Sequence, residues 1–289
     1  MLAFSAFIGG SFTLGALAAP HIAPVALNAV RFWIATAILG AMALGLGQMR
    51  RDWFRAPWRH GVLGFLYVVY FILMFEALRI APPVSLSAVF TLTPLIAGFF
   101  GWWFLRQRMT SRMLTALVIG AAGALWVIFD ADWRAALAFR IGRGETIYIV
   151  AVVAHAIYTP GVRALNRGEP ALVFTFGVML AASLIATVGG IGPILATDWT
   201  DLPSIVWITI AYTAVFATAA SVFLMQVASL RLPAAKVMAH TYLVPGWVVA
   251  WELSFGHRPP SALILAGLLL SVVALILLLR DEEVPLPAR

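Results

Sequence analysis

Apolar stretches of about 20 residues recur from one end of this chain to the other, and that one feature restricts the fold more than any other. A helix of that length spans the hydrocarbon core of a bilayer. Inside lipid no water is present to pair with backbone N–H and C=O groups, so only helices and closed barrels can cross. Barrel strands would alternate in polarity every second residue, and these stretches do not. Charged residues make up 11% of the sequence, against roughly 25% in soluble domains. The longest polar stretches are about a dozen residues, which leaves no room for a sizeable soluble domain. The chain reads as an all-α membrane protein.

Ten transmembrane helices are expected, over about 2–19, 24–47, 60–80, 83–105, 111–129, 146–165, 171–191, 203–230, 232–254 and 261–280. The linkers are short and rich in Pro and Gly. The first 20 residues end in small side chains like a signal peptide but lack its positively charged start, so they read as the first span. The net charge of +7 would suggest nucleic acid in a soluble protein. Here the cations lie in loops between spans, where they act as an orientation signal, and no nucleic-acid partner is expected. The ends of the chain share a side with thirteen of the 19 basic residues, five lie on the other side, and Arg31 falls inside a span. By the positive-inside rule both termini face the cytoplasm of a bacterial inner membrane. The chain has no Cys, so disulfides and thiolate metal sites are excluded.

An internal repeat is visible. A shift of 151 positions lays Pro82 on Pro233, Ala88 on Ala239, Leu92 on Leu243, Pro94 on Pro245, Phe104 on Phe255 and Leu117 on Leu268. The halves run from 1 to 130 and from 145 to 280, followed by a short cytoplasmic tail, 281–289. Five spans per half is an odd number, so the second half inserts upside down. Inverted repeats around a central cavity are a transporter architecture.

Four segments carry a resemblance to a known family. They are IGGSF in the first span, APVALNAVRFWIA opening the second, VFTLTPLIAGFFGWWFL in the fourth and YLVPGWVVAWELSFG in the ninth. In order and spacing they resemble the EamA-type ten-helix exporters of the drug/metabolite transporter superfamily, with the YddG-type aromatic amino-acid exporters most similar. The resemblance implies export of amino acids, aromatic ones above all. One departure is plain: EamA halves often carry a Gly-Glu pair after the proline-containing helix, and here the matching places read Arg106-Gln107 and His257-Arg258.

In an inverted-repeat transporter, cargo binds near the midplane at helices interrupted by Pro or Gly. Pro94 and Pro245 sit mid-span at matched positions, and Pro160 interrupts the sixth span. Each frees the carbonyl four residues earlier, on Phe90, Thr241 and Ala156. A kink satisfied by a neighbouring helix is the plainer reading for any one proline; the matched pair points to a cavity. Polar residues in lipid usually face the interior. Tyr70, Thr91, His155, Tyr158, Lys236, His240, Tyr242 and Trp247 are the expected cargo contacts. His155 and Tyr158, three apart, share a helix face. Lys236 would meet a cargo carboxylate or snorkel to the interface. His155 and His240 are either bonded core residues or groups that titrate during transport. Arg31 needs a partner, and a structural ion pair with Glu76 or Glu252 is expected, with a role in cargo or proton gating as the alternative; Glu76 has Arg79 as a rival three residues on. Ala116, Gly120 and Ala124, with Gly267 and Ser271, recur at a spacing that lets helices approach closely. They mark the fifth and tenth spans as packing elements or as a weak dimer contact.

No Walker loop, metal-ligand cluster or hydrolase motif is present, so no catalytic residue, metal or cofactor is expected. The expected partners are an amino-acid-sized substrate and the lipid bilayer, with the chain a monomer or a weak homodimer. Two alternatives stand beside the exporter reading. One is a transporter of the same superfamily with unrelated cargo, such as drugs, sugars or nucleotide precursors. The other is an intramembrane enzyme or flippase acting on lipid.

Overall fold

The computed structural model describes residues 1–107, 109–129, 131, 132, 134 and 141–280. The tail 281–289, Trp133, Arg108 and Arg140 lie outside the described residues. In chain order the helices are α1 (Leu2–Ala18), α2 (Pro24–Gly45), α3 (Trp58–Leu78), α4 (Pro83–Phe90), α5 (Thr93–Leu105), α6 (Ser111–Ile128), α7 (Arg143–Leu165), α8 (Ala171–Gly189), α9 (Ile191–Ala196), α10 (Ser204–Ala214), α11 (Ser221–Ser229), α12 (Ala234–Met238), α13 (Val244–Ser254) and α14 (Ala262–Leu279). A π turn, Val215–Ala220, joins α10 to α11, and a 3-10 turn, Ala239–Leu243, joins α12 to α13. No strand occurs among the described residues. Eight helical runs are long and apolar enough to cross a membrane, α4 with α5 and α10 with α11 each counting as one. The protein is thus a multi-pass membrane protein. Leu2–Ala18 is a shorter apolar helix, and the expected ninth span is divided by the 3-10 turn.

The helix starts follow the chain's punctuation. Pro24 and Pro83 occupy first-turn positions of α2 and α4, where a missing N–H is harmless. Thr110 and Ser261 cap α6 and α14 through their hydroxyls, which accept from the N–H of Met113 and Ile264. The interruptions have equally local causes. Pro94 cannot donate to Phe90, so the chain tightens: the N–H groups of Thr91 and Leu92 turn to the carbonyls three residues back, on Ala88 and Val89. The same shift of 151 positions that aligns the sequence halves carries the start of α4 onto that of α12, the start of α5 onto that of α13, and both ends of α6 onto those of α14.

Two apolar clusters fill the interior. The larger runs through α1, α2, α3, α4, α7, α8, α10 and α11. The smaller joins Met113, Ala116 and Leu117 of α6 to Ala274, Leu275 and Leu278 of α14, with Ala235, Ala239 and Tyr242 between them. Helices α6 and α14 approach closely at glycine: a Cβ on Gly123 would lie 2.6 Å from the carbonyl oxygen of Gly267. The small-residue spacing on these two helices therefore serves packing against each other.

Candidate functional site

Helices α2, α3, α4 and α7 bring an aromatic and basic cluster together in the middle of the larger core. His155 and Tyr158 lie on one face of α7, as their spacing requires, with parallel rings 6.2 Å apart. Tyr70 of α3 stacks on the His155 imidazole at 4.3 Å. Its hydroxyl lies 3.0 Å from that of Tyr148, seven residues before His155 on α7. Phe90, the last residue of α4 before the break, packs against both Tyr70 and His155. Tyr67, one turn before Phe71 on α3, reaches Tyr158 at 5.6 Å and Phe71 at 4.7 Å. Arg31 of α2 closes the group, its guanidinium 3.9 Å over the Phe71 ring. Its Nε and Nη2 donate to the hydroxyl of Thr218 at 3.2 and 3.0 Å. Thr218 sits in the π turn, a widening that shifts the register of the following residues and recurs at functional sites in helices.

Several polar atoms in this group have no partner within the protein: both imidazole nitrogens of His155, the hydroxyl of Tyr158 and Nη1 of Arg31. Each such atom costs about 1–3 kcal/mol when buried. Gln226 of α11 adds both ends of its amide. Tyr70 is 1% exposed and Tyr158 is fully buried, so these rings are packed inside the bundle.

The expected cargo contacts divide. Tyr70, His155 and Tyr158 come together as described. Thr91 is buried beside them in sequence, but its hydroxyl donates to the carbonyl of Ala88 in its own helix. Tyr242 is a correction: it faces away, wedged against Gly120 in the smaller cluster between α6 and α14. Trp247 is another, being 40% exposed and donating to the hydroxyl of Ser5 on α1, on the outside of the bundle. Lys236 is buried and engaged one turn into its segment, and His240 is half-buried in the 3-10 turn. Pro94 and Pro245 stand in the first turn of the helices that resume after each break, and Pro160 lies inside α7. The carbonyls that the matched prolines release are already taken. That of Phe90 accepts from the hydroxyl of Thr93 at 2.5 Å, and that of Thr241 from the N–H of Val244.

The structural ion pair is corrected as well. Among the described residues no carboxylate pairs with Arg31. Glu76 pairs with Arg79 at 3.3 Å and Glu252 with His257 at 2.7 Å. Both acids take partners close to them in sequence. Glu252 also lines a cavity of about 420 Å³ with Ser85, Glu145 and Arg258, near the start of α4 and the end of α13.

Two features escaped the sequence. Tyr148 shares a helix face with His155 at seven-residue spacing, a signal that was present. The clasp at the start of α3 gave none. Arg59 donates Nη2 to Glu169 at 2.6 Å and Nη1 to the Leu165 carbonyl at 2.7 Å. Glu169 also accepts from the Arg167 N–H at 2.6 Å. Burial alone would raise the Glu169 carboxyl; the hydrogen bonds from Arg59 and the Arg167 backbone outweigh it and hold the group below its ordinary 4.5.

Comparison with known proteins agrees with this architecture. A solved crystal structure superposes with a TM-score of 0.70 at 20% identity, covering 96% of this chain and 95% of that one, which establishes a shared fold. The uncharacterized transporter YyaM of Bacillus subtilis (strain 168) is 24% identical over 90% of this chain and 85% of its own length. The pseudopaline exporter CntI of Pseudomonas aeruginosa (strain UCBPP-PA14) is 25% identical over 77% of this chain and 74% of its own. The sequence pattern of one family matches residues 1–129 and again residues 142–280, nearly the whole length, and on that evidence the chain belongs to the EamA-like transporter family of the drug/metabolite transporter superfamily.

Proposed function

We propose that this transporter is a secondary exporter of small metabolites, aromatic amino acids above all, working by alternating access in a bacterial inner membrane with both chain ends in the cytoplasm. On this reading ten spans form two inverted five-helix halves, residues 1–130 and 145–280, which rock about the central cluster. The matched breaks before Thr93 and Val244 support the duplication. The observation that carries the cargo reading is the stack of Tyr70, His155 and Tyr158, planar surfaces with unspent polar atoms at their edges. Separation of the halves parts the rings, and a planar cargo takes the place of one ring while its polar groups meet the unpartnered nitrogens and hydroxyl. Binding energy from that exchange favours the open state by as much as the cargo prefers it. Proteoliposomes loaded with labelled phenylalanine or tryptophan test the cargo: efflux above empty liposomes is expected, and none would reject it.

A second reading keeps the mechanism and changes the cargo. A relative bears the name of a pseudopaline exporter, so cargo beyond the common amino acids falls within the reach of this fold. A panel of amino acids, sugars, drugs and nucleotide precursors in the same liposomes separates the two.

A further inference from the structure

We propose that Arg31 is the anchor for the negative end of the cargo, and that the cargo class is small organic carboxylates. Arg31 is fully buried in the first half of α2, flanked by Phe32, Phe71 and Phe75. Among the described residues no carboxylate pairs with it: Glu76 pairs with Arg79, Glu169 with Arg59 and Glu252 with the His257 imidazole, and the buried Glu145 accepts from Ser85. A neutral hydroxyl and the face of a ring stabilise a cation less than an anion does. An ionisable group left so inside a membrane protein marks a functional position far more often than a structural one. The second observation is directional. Thr218 takes the Nε and Nη2 edge, Phe71 covers the plane, and Nη1 with its two N–H donors stays unspent.

The neighbours agree with the role. Phe71 carries the guanidinium on its face and packs edge-on against Tyr67 and Tyr70. Those tyrosines lead to Tyr158 and His155, whose polar atoms also lack partners. An amino acid whose carboxylate meets Arg31 thus places its side chain among rings. Thr218 can yield the guanidinium edge to a carboxylate, which accepts two parallel N–H bonds where a hydroxyl accepts weakly. Lys236, expected from the sequence to meet the carboxylate, is not needed for this arrangement.

The inference rests on the exporter reading only for the direction of transport, and ligand binding tests it separately. The full chain, purified in detergent, is titrated with phenylalanine, 3-phenylpropionate, which lacks the ammonium, and phenethylamine, which lacks the carboxylate; the thermal midpoint is the readout. The two acids are expected to raise it and phenethylamine is not. Arg31→Gln should weaken the acids about tenfold or more, and Arg31→Lys less, because a hydrogen bond to a charged group carries at least that factor. Phenethylamine binding the wild type as well as the acids do would overturn the proposal. So would unweakened acid binding by an Arg31→Gln protein that still melts cooperatively. If Arg31→Gln does not fold, the wild-type preference and Arg31→Lys decide. If no aromatic ligand binds, the aromatic cargo falls; non-aromatic carboxylates then test Arg31 against their neutral amides, and a preference for acid over amide sustains the anchor while its absence ends it.

Discussion

Two arginines, both withdrawn from solvent, are treated in opposite ways by this fold. Arg59, 3% exposed at the start of α3, grips the last carbonyl of α7 and a carboxylate of the loop between α7 and α8. That loop is itself laced: the Asn166 amide donates to the Glu169 carbonyl and accepts from the Gly168 N–H, and Gly168 takes φ +98, a backbone open to glycine at little strain. Arg31, inside the bundle, receives only neutral partners: the Thr218 hydroxyl, the faces of Phe32, Phe71 and Phe75, and the Tyr67 hydroxyl beside it. Desolvating a cation is costly, and its own carboxylate repays much of that cost only where the geometry is good. The fold supplies this at one end of the bundle and withholds it at the centre. A cation satisfied in place is a clasp; a cation left short of an anion suits a site whose anion comes and goes.

The largest effect should come from breaking the satisfied pair. Glu169→Ala strands the Arg59 charge in a buried position, and loss of one partner of such a pair costs about 3–5 kcal/mol. Thermal unfolding in detergent should show the lowest midpoint of any variant considered. Adding Arg59→Leu to Glu169→Ala should recover part of the loss, because the stranded charge goes too. A double variant as unstable as the sum of the singles would mean that the two groups do not act as a pair, and the contrast with Arg31 would lose its reference.

Acid should reach the clasp. The Glu169 carboxyl is held below its ordinary 4.5, so its contribution is complete above that value and is lost as pH falls through the lowered one. The difference in midpoint between wild type and Glu169→Gln should be constant from neutral pH down to the ordinary carboxylate value and then shrink. A difference that widened in acid would reverse the sign and remove the clasp.

The unequal legibility of these two regions has a physical cause. Helix positions were readable because proline and hydroxyl caps act locally: the spans expected at about 111–129 and 261–280 are Ser111–Ile128 and Ala262–Leu279. Which face of a helix looks inward was far less readable. In lipid the outside of a helix is as apolar as its inside, so the usual polar-out signal is missing. Polarity and aromaticity single out Tyr242 and Trp247 in the sequence, and the structure packs them apart from the Tyr70–His155–Tyr158 stack. His155 and Tyr158 were placed correctly relative to each other because helical spacing alone fixes that relation. The Arg59–Glu169 clasp joins positions 110 residues apart, and no local pattern foretells it.

A smaller effect tests the thin support of Arg31. Thr218→Val removes the hydroxyl that takes Nε and Nη2. The expected loss is about 1–3 kcal/mol in thermal unfolding, and Thr218→Ser, which keeps the hydroxyl, should lose much less. Saturating cargo should narrow the gap between Thr218→Val and wild type if the carboxylate supplies the missing acceptor. An unchanged gap would show that the cargo does not reach this edge.

The smallest effect bears hardest on the contrast. Glu76 is one of the two acids that sequence reasoning offers to Arg31, and the structure pairs it with its rival Arg79, with side chains 49% and 41% exposed for Arg79 and Glu76. An exposed pair three residues apart on a helix contributes between nothing and about 1 kcal/mol, and salt screens it. Glu76→Gln should therefore shift the thermal midpoint far less than Glu169→Ala, and added salt should erase what shift there is. A loss of several kcal/mol, insensitive to salt, would mean that Arg31 draws on Glu76 in the membrane. The two arginines would then both be clasps, and the centre would hold no cation in want of an anion.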